Sequence, residues 1–174
     1  MTNGVLHGVL QAAHRPGAVV AFDLDSTIID NRPRQVRIFH EFALRRGVAE
    51  LLATRAEHWT SWDICEAMRN AGLPADRAAA LHQEVSAFWW DRFFNGDYCR
   101  WDEPVPGAAD LVGAVLEAGA TVAYVTGRHE PMREGFVRLD RRLDNVLTGV
   151  HGKEHERFRR RLTRWEALVG MRSR

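Results

Sequence analysis

The sequence predicts an α/β fold, a parallel sheet core with an inserted all-helical segment. Two short apolar runs predict the core. Residues 18–24 read AVVAFDL and residues 121–125 read TVAYV; both are rich in β-formers and too short for helices. Such runs suit strands buried on both faces of a parallel sheet. The third observation lies between them: residues 33–103 repeat apolar side chains at helical spacing, and strands separated by helices imply an α/β core.

Taken in order, the string PRQVRIFHEFALRRG at residues 33–47 places Val36, Phe39, Phe42 and Ala43 on one face, with proline at its start and glycine at its end. Residues 61–71, through Ile64 and Met68, and residues 74–94, through Ala78, Leu81, Val85, Phe88 and Trp89, continue the pattern, with Gly72 and Pro74 as punctuation. Residues 104–107 read as a loop. Residues 108–118 form an amphipathic helix through Leu111, Val112, Val115 and Leu116, and Gly119 stands where a C-terminal cap belongs. Beyond the second strand, residues 146–150 read as a third strand and residues 153–168 as a helix through Phe158, Leu162 and Trp165. The expected organisation is a core of residues 1–32 and 104–174 with a helical insertion at 33–103.

With 174 residues, 45% of them apolar and 27% charged, the chain belongs among globular proteins and has room for one core domain. Its N-terminal apolar stretch, interrupted by His7 and Gln11, is too short and too polar to cross a bilayer. Cys65 and Cys99 stand alone, without the spacing of a zinc site or a disulfide framework, and suggest a reducing, cytoplasmic setting. The formal net charge of +1 hides an asymmetry, because eleven of the 23 arginines follow Pro131. The cluster Arg157, Arg159, Arg160, Arg161 and Arg164 invites a nucleic-acid reading, but a solvated outer helix face is the simpler one.

The chemistry gathers in AFDLDSTIID. Asp23 and Asp25 flank Leu24 directly after the first strand, with Thr27 two residues on, and ligands of parallel sheets bind beyond the strand ends. A tight loop there brings two carboxylates into one volume, which is costly unless a cation or substrate compensates their repulsion. Magnesium fits, since it favours carboxylate oxygens together with substrate phosphate. The bland alternative is a solvated turn at a strand end, where Asp and Ser are common.

This segment resembles the first motif of the haloacid dehalogenase superfamily, DxDx(T/V), and YVTGR at residues 124–128 resembles its second, an apolar strand ending in Thr or Ser. The resemblance implies a Rossmann-like core with a helical cap inserted between the two motifs, where residues 33–103 stand. The acid at Asp25 is similar to that of the phosphatases in the family rather than of its dehalogenases. Carried over by motif position, Asp23 is the nucleophile toward phosphorus. Asp25 is the acid that protonates the leaving oxygen and then the base that activates water. Thr126 and Gly127 contact the phosphoryl group, and Mg2+ sits between the Asp23 carboxylate and the backbone carbonyl of Asp25. Lys153, the sole lysine, stands in the order expected of the third motif. The substrate implied is a small phosphorylated metabolite, hydrolysed as a phosphate monoester.

The chain departs from the family at the fourth motif, an apolar strand ending in paired acids, for no Asp or Glu follows Glu166. In the family's sheet that strand lies beside the one bearing Asp23. Its absence leaves AVVAFDL with a free hydrophobic edge, which predicts a homodimer through that edge or poor solubility. It also supports two alternatives: a degenerate, non-catalytic phosphate-binding or interaction protein, and an Arg-rich end that is truncated or frameshifted. Other expectations are simpler. Arg128 and His129 read as plausible phosphate or substrate contacts, although an arginine at a strand end is more often solvated; His151 and His155 could share a metal but read better as a solvated helix start; and Trp59, Trp62, Trp89, Trp90 and Trp101 could line a substrate mouth but read chiefly as helix packing.

Overall fold

In the computed structural model, residues 2–128 are described, together with Met132 and Gly135. The elements run α1 (Thr2–Ala13), β1 (Val19–Asp23), β2 (Ile29–Asp30), α2 (Arg32–Arg46), α3 (Ile64–Asn70), α4 (Ala75–Phe93), β3 (Glu103–Pro104), α5 (Ala108–Glu117) and β4 (Thr121–Val125), with 3-10 turns at Ala49–Ala53, Ala56–His58 and Gly96–Trp101. The strand expected at 146–150, the helix at 153–168, Lys153, His129, His151, His155 and the arginine cluster lie outside the described residues.

The two apolar runs are strands and they pair in parallel, Val19 opposite Thr121 through Asp23 opposite Val125. Side chains alternate across a strand. Val20, Phe22, Val122 and Tyr124 therefore share one face, which packs with Val9, Leu10 and Ala13 of α1 and with Val112, Val115 and Leu116 of α5. Among the described residues nothing packs on the opposite face: Val19 is 65% exposed and Val125 61%, and Ala21 is exposed between them. This corrects the expectation of strands buried on both faces. A continuous apolar run marks what a strand is suited to contact, and here α1 and α5 lie on the same side.

Helix α1 goes beyond the sequence expectation, in which the N-terminal residues are only an apolar stretch too short to cross a bilayer. Helix α2 has the anticipated punctuation. Proline stands in its first turn, and Gly47 closes it in the left-handed conformation at φ 68°, its N–H donating to the carbonyl of Ala43. Its buried stripe is Arg34, Gln35, Ile38, Phe39, Phe42 and Ala43, with Val36 only partly covered. Two polar residues thus continue the apolar face.

Two apolar clusters result. One joins α2, α3 and α4 through Phe39, Phe42, Met68, Val85, Trp89 and Phe93; the other joins the strands to α1 and α5 through Phe22, Leu24, Ile29 and Val115. Where the chain passes between them, β2 and β3 pair antiparallel, Ile29 opposite Pro104 and Asp30 opposite Glu103. Val105 N–H extends the ladder to the carbonyl of Ile28 at 2.9 Å. Pro104 thus lies in a strand where a loop was expected, a place proline tolerates because this strand is an edge. Trp59 and Trp89 are buried in the helical cluster, whereas Trp62, Trp90 and Trp101 are exposed.

Candidate active site at the strand ends

Beyond β1 the backbone turns sharply. The N–H groups of Ile28 and Ile29 both donate to the carbonyl of Leu24, at 3.0 and 2.9 Å, and Ser26 N–H donates to the carbonyl of Ile29 at 2.7 Å. Ser26 adopts φ 64°, the one positive φ outside glycine among the described residues. L-residues seldom hold that conformation, and strain of this kind is kept where a loop is fixed by its surroundings. Leu24 N–H donates to the carbonyl of Val125 at 3.2 Å, carrying the parallel pairing to the brink of both loops. The residues of the two motifs are thereby brought to one end of the sheet.

Asp23 is exposed, and its carboxylate accepts a hydrogen bond from the Thr27 hydroxyl at 3.2 Å. Asp25 is half-buried and richly engaged. It accepts from Asn31 Nδ2 at 3.1 Å, from Thr126 Oγ1 at 3.5 Å and from Arg128, whose Nη2 lies 2.6 Å from Oδ1 and whose Nε lies 3.0 Å from Oδ2. Gln35 steadies Asn31 in turn, donating to its Oδ1 at 2.9 Å. Thr126 also accepts from Arg128 N–H at 3.2 Å, so its hydroxyl joins the two loops. Gly127 is exposed, and a Cβ at that position would meet nothing within 4 Å.

Arg128 does not lie in solvent. Its side chain is 5% exposed, and Nη2 bridges Asp25 to Oδ2 of Asp102 at 2.8 Å. Asp102, on the return from the helical cluster, has a fully buried side chain, and so does Arg34 of α2. Arg34 Nε stands 2.9 Å from Asp102 Oδ1, and its Nη2 stands 3.7 Å from Asp25 Oδ1. Its Nη1 donates to the carbonyl of Phe93 at 2.8 Å, while the guanidinium lies 4.0 Å from the Phe93 ring centroid. The Arg34 to Asp102 contact is close but off-line, so Nε, Nη2 and Asp102 Oδ1 have no aligned hydrogen bond. Two guanidinium groups and two carboxylates thus form a compact quartet between the clusters, with the Cys99 thiol beside it.

These contacts set the charge states. Burial works against an ionised Asp25, but the hydrogen bonds and charge of Arg128, aided by Asn31 and Arg34, outweigh it and hold the carboxyl below its ordinary value. Burial pushes the Asp102 carboxyl up, against the pull of Arg34 and Arg128. Burial likewise lowers Arg34 and raises Cys99. Arg128 is raised, because Asp25 and Asp102 more than offset its own desolvation. The cation expected to relieve repulsion at this loop is, for Asp25, arginine.

Asp23, Asp25, Thr126 and Gly127 were all legible as motif residues. Arg34, Asn31 and Asp102 were not, and Arg128 was legible only as a plausible phosphate or substrate contact at a position where arginine is more often solvated. The available signal was the helical period of α2: Arg34 lies four residues before Ile38 and Gln35 four before Phe39, so both continue the buried stripe. Nothing in the string RWDEP marks Asp102. As for magnesium, no group of three His, Cys, Asp or Glu residues is poised for a metal among the described residues. Magnesium bound with substrate phosphate and water needs only one or two carboxylates. The exposed Asp23 carboxylate meets that requirement, whereas the Asp25 carboxylate is occupied by Arg128.

Among the described residues no helix is long and apolar enough to cross a membrane. No curated protein and no solved structure gives a significant match. The family profile described as haloacid dehalogenase-like hydrolase matches residues 18–162, a span that contains the strand, the aspartate loop, the helices and the Thr126 loop. The chain therefore belongs to the haloacid dehalogenase-like hydrolases.

Proposed function

We propose that the chain is a magnesium-dependent phosphate monoester hydrolase acting on a small phosphorylated metabolite through an aspartyl phosphate. The observation that carries this reading is the hydrogen bond from Thr126 to Asp25, which joins loops 101 residues apart at the ends of two adjacent parallel strands. Substrates of such sheets bind there. Asp23, exposed and oriented by Thr27, attacks phosphorus, and the bond from phosphorus to the ester oxygen breaks. Asp25 gives its proton to the departing oxygen, then takes one from the water that cleaves the acyl phosphate and restores Asp23. Thr126 and the amide of Gly127 orient the phosphoryl oxygens, and Lys153 adds positive charge. The Asp23 carboxylate and the Asp25 carbonyl would hold Mg2+, which would neutralise charge on the transferring group. The residues from 33 to 103 serve as the cap that excludes water and selects the substrate.

Hydrolysis of p-nitrophenyl phosphate by the full chain, with and without magnesium, tests the reading against Asp23→Asn. Loss of activity on the order of 10³-fold or more is expected, as for removal of a covalent nucleophile. Wild-type turnover no greater than that of Asp23→Asn would sink it. A second reading has its own observation: Arg128 holds Asp25 in the charged form, which opposes the acid role, and this favours a non-catalytic phosphate-binding protein. We also propose pairing of two chains through the β1 edge, which has no strand partner besides β4 among the described residues. The free thiols of Cys65 and Cys99 support a cytoplasmic setting.

A further inference from the structure

The sequence marks Arg128 only as a plausible phosphate or substrate contact and marks Asp102 not at all, yet together they bear on the carboxylate on which the proposed chemistry depends. Arg128 is shared between two acids that differ in accessibility. The Asp102 side chain is wholly buried, and Asp25 keeps 18% of its side-chain surface, on the loop that also carries Asp23. A guanidinium presents the same planar fork to phosphate as to carboxylate, so a phosphoryl dianion entering beside Thr126 competes directly with Asp25 for Arg128. Asp102 cannot be displaced in the same way. Its side chain has no exposed surface, and Arg34, also fully buried, holds it from the other side at 2.9 Å.

We propose that Arg128 is a phosphate-binding residue that exchanges Asp25 for the phosphoryl group, with Asp102 as the buried pivot that retains it during the exchange. In the resting chain Arg128 is stored on Asp25. Phosphate takes over the Nε and Nη2 donors, and Asp25 keeps Asn31 and Thr126 as partners while losing its closest cation. Asp102 is thus a positioning residue acting through Arg128. The proposal rests on the phosphoryl-transfer reading of the same site.

Calorimetric titration of inorganic phosphate into the full chain at fixed magnesium tests the exchange. Asp25→Asn removes the internal competitor and is expected to tighten phosphate binding about tenfold, while Arg128→Gln weakens it by about tenfold or more. The decisive chain is the double variant, because with Arg128 already gone Asp25→Asn should bring no further gain. Should Arg128→Gln fail to fold by circular dichroism, Arg128→Lys takes its place, with an intermediate loss expected because charge remains and the fork is gone. An equal gain from Asp25→Asn with and without Arg128 would reduce the effect to removal of a negative charge and overturn the exchange. So would phosphate binding indifferent to Arg128, or its absence from both wild type and Asp25→Asn. Failure of the hydrolase reading looks different: phosphate binding follows the expected pattern, but p-nitrophenyl phosphate is turned over no faster than by Asp23→Asn.

Discussion

Asp102 is the residue on which the interior electrostatics turn, since it compensates two guanidinium groups at once. Asp102→Asn keeps the shape and leaves those cations with Asp25 alone. Removing one member of a buried ion pair typically costs about 3–5 kcal/mol, and urea unfolding should register a loss of that order. Asp25 governs the acid limb. Its folded carboxyl lies below the ordinary value of 3.8, so the unfolded chain takes up its proton first as pH falls. The stability Asp25 confers is therefore present above that value and lost below it. Asp102, raised by burial, acts with the opposite sign. Urea midpoints between about pH 3 and pH 5 should fall less steeply for Asp25→Asn than for wild type. The Asp23 and Asp25 pair was readable in sequence because acids directly after an apolar run of strand length are conspicuous. Asp102 was not, because its partners are brought to it only by tertiary structure.

At the scale of elements, periodicity and punctuation carried most of the fold. Helices α2, α3, α4 and α5 lie within two or three residues of where apolar spacing, proline and glycine place them. Gly47 was foreseen as a helix end, and its φ of 68° explains why glycine stands there. Gly47→Ala should lower stability by about 1 kcal/mol, measured by denaturant unfolding, because an alanine meets no clash but must adopt a disfavoured backbone. A larger loss is expected from Phe39→Ala, about 3–5 kcal/mol, since Phe39 is fully buried and its ring lies 4.7 Å from that of Trp59. Short-range pattern was silent on β2 and β3. Two residues each cannot show a period, and their pairing joins segments more than seventy positions apart.

For the whole molecule, the one-sided sheet is the feature that sequence misjudged. Val19 and Val125 expose apolar surface on the face away from α1 and α5, and a parallel sheet with one face uncovered, as here among the described residues, is unusual. The proposed pairing through β1 makes mass by light scattering concentration-dependent, and Val19→Lys, which places charge beside that edge, should shift the chain toward monomer. A mass that stays monomeric at all concentrations would remove the edge-pairing proposal. Val19→Lys should itself change stability by no more than about 0.5 kcal/mol, as exposed substitutions do.

The β2 to β3 pairing sets Asp30 opposite Glu103, so the chain leaves the strand-bearing cluster and returns to it at neighbouring points. Adjacent strands lie only about 5 Å apart, and such a junction can accept a different excursion of chain, or a tight turn, without rearranging the sheet. The helices between these points are in that sense an exchangeable cassette. Yet Asn31, Arg34 and Asp102 travel with them, and these residues hold Asp25 or its arginine. A graft that keeps the junction but omits those three would leave Asp25 and Arg128 without these partners, and transplanted cassettes should fit only when their stems bring equivalent ones.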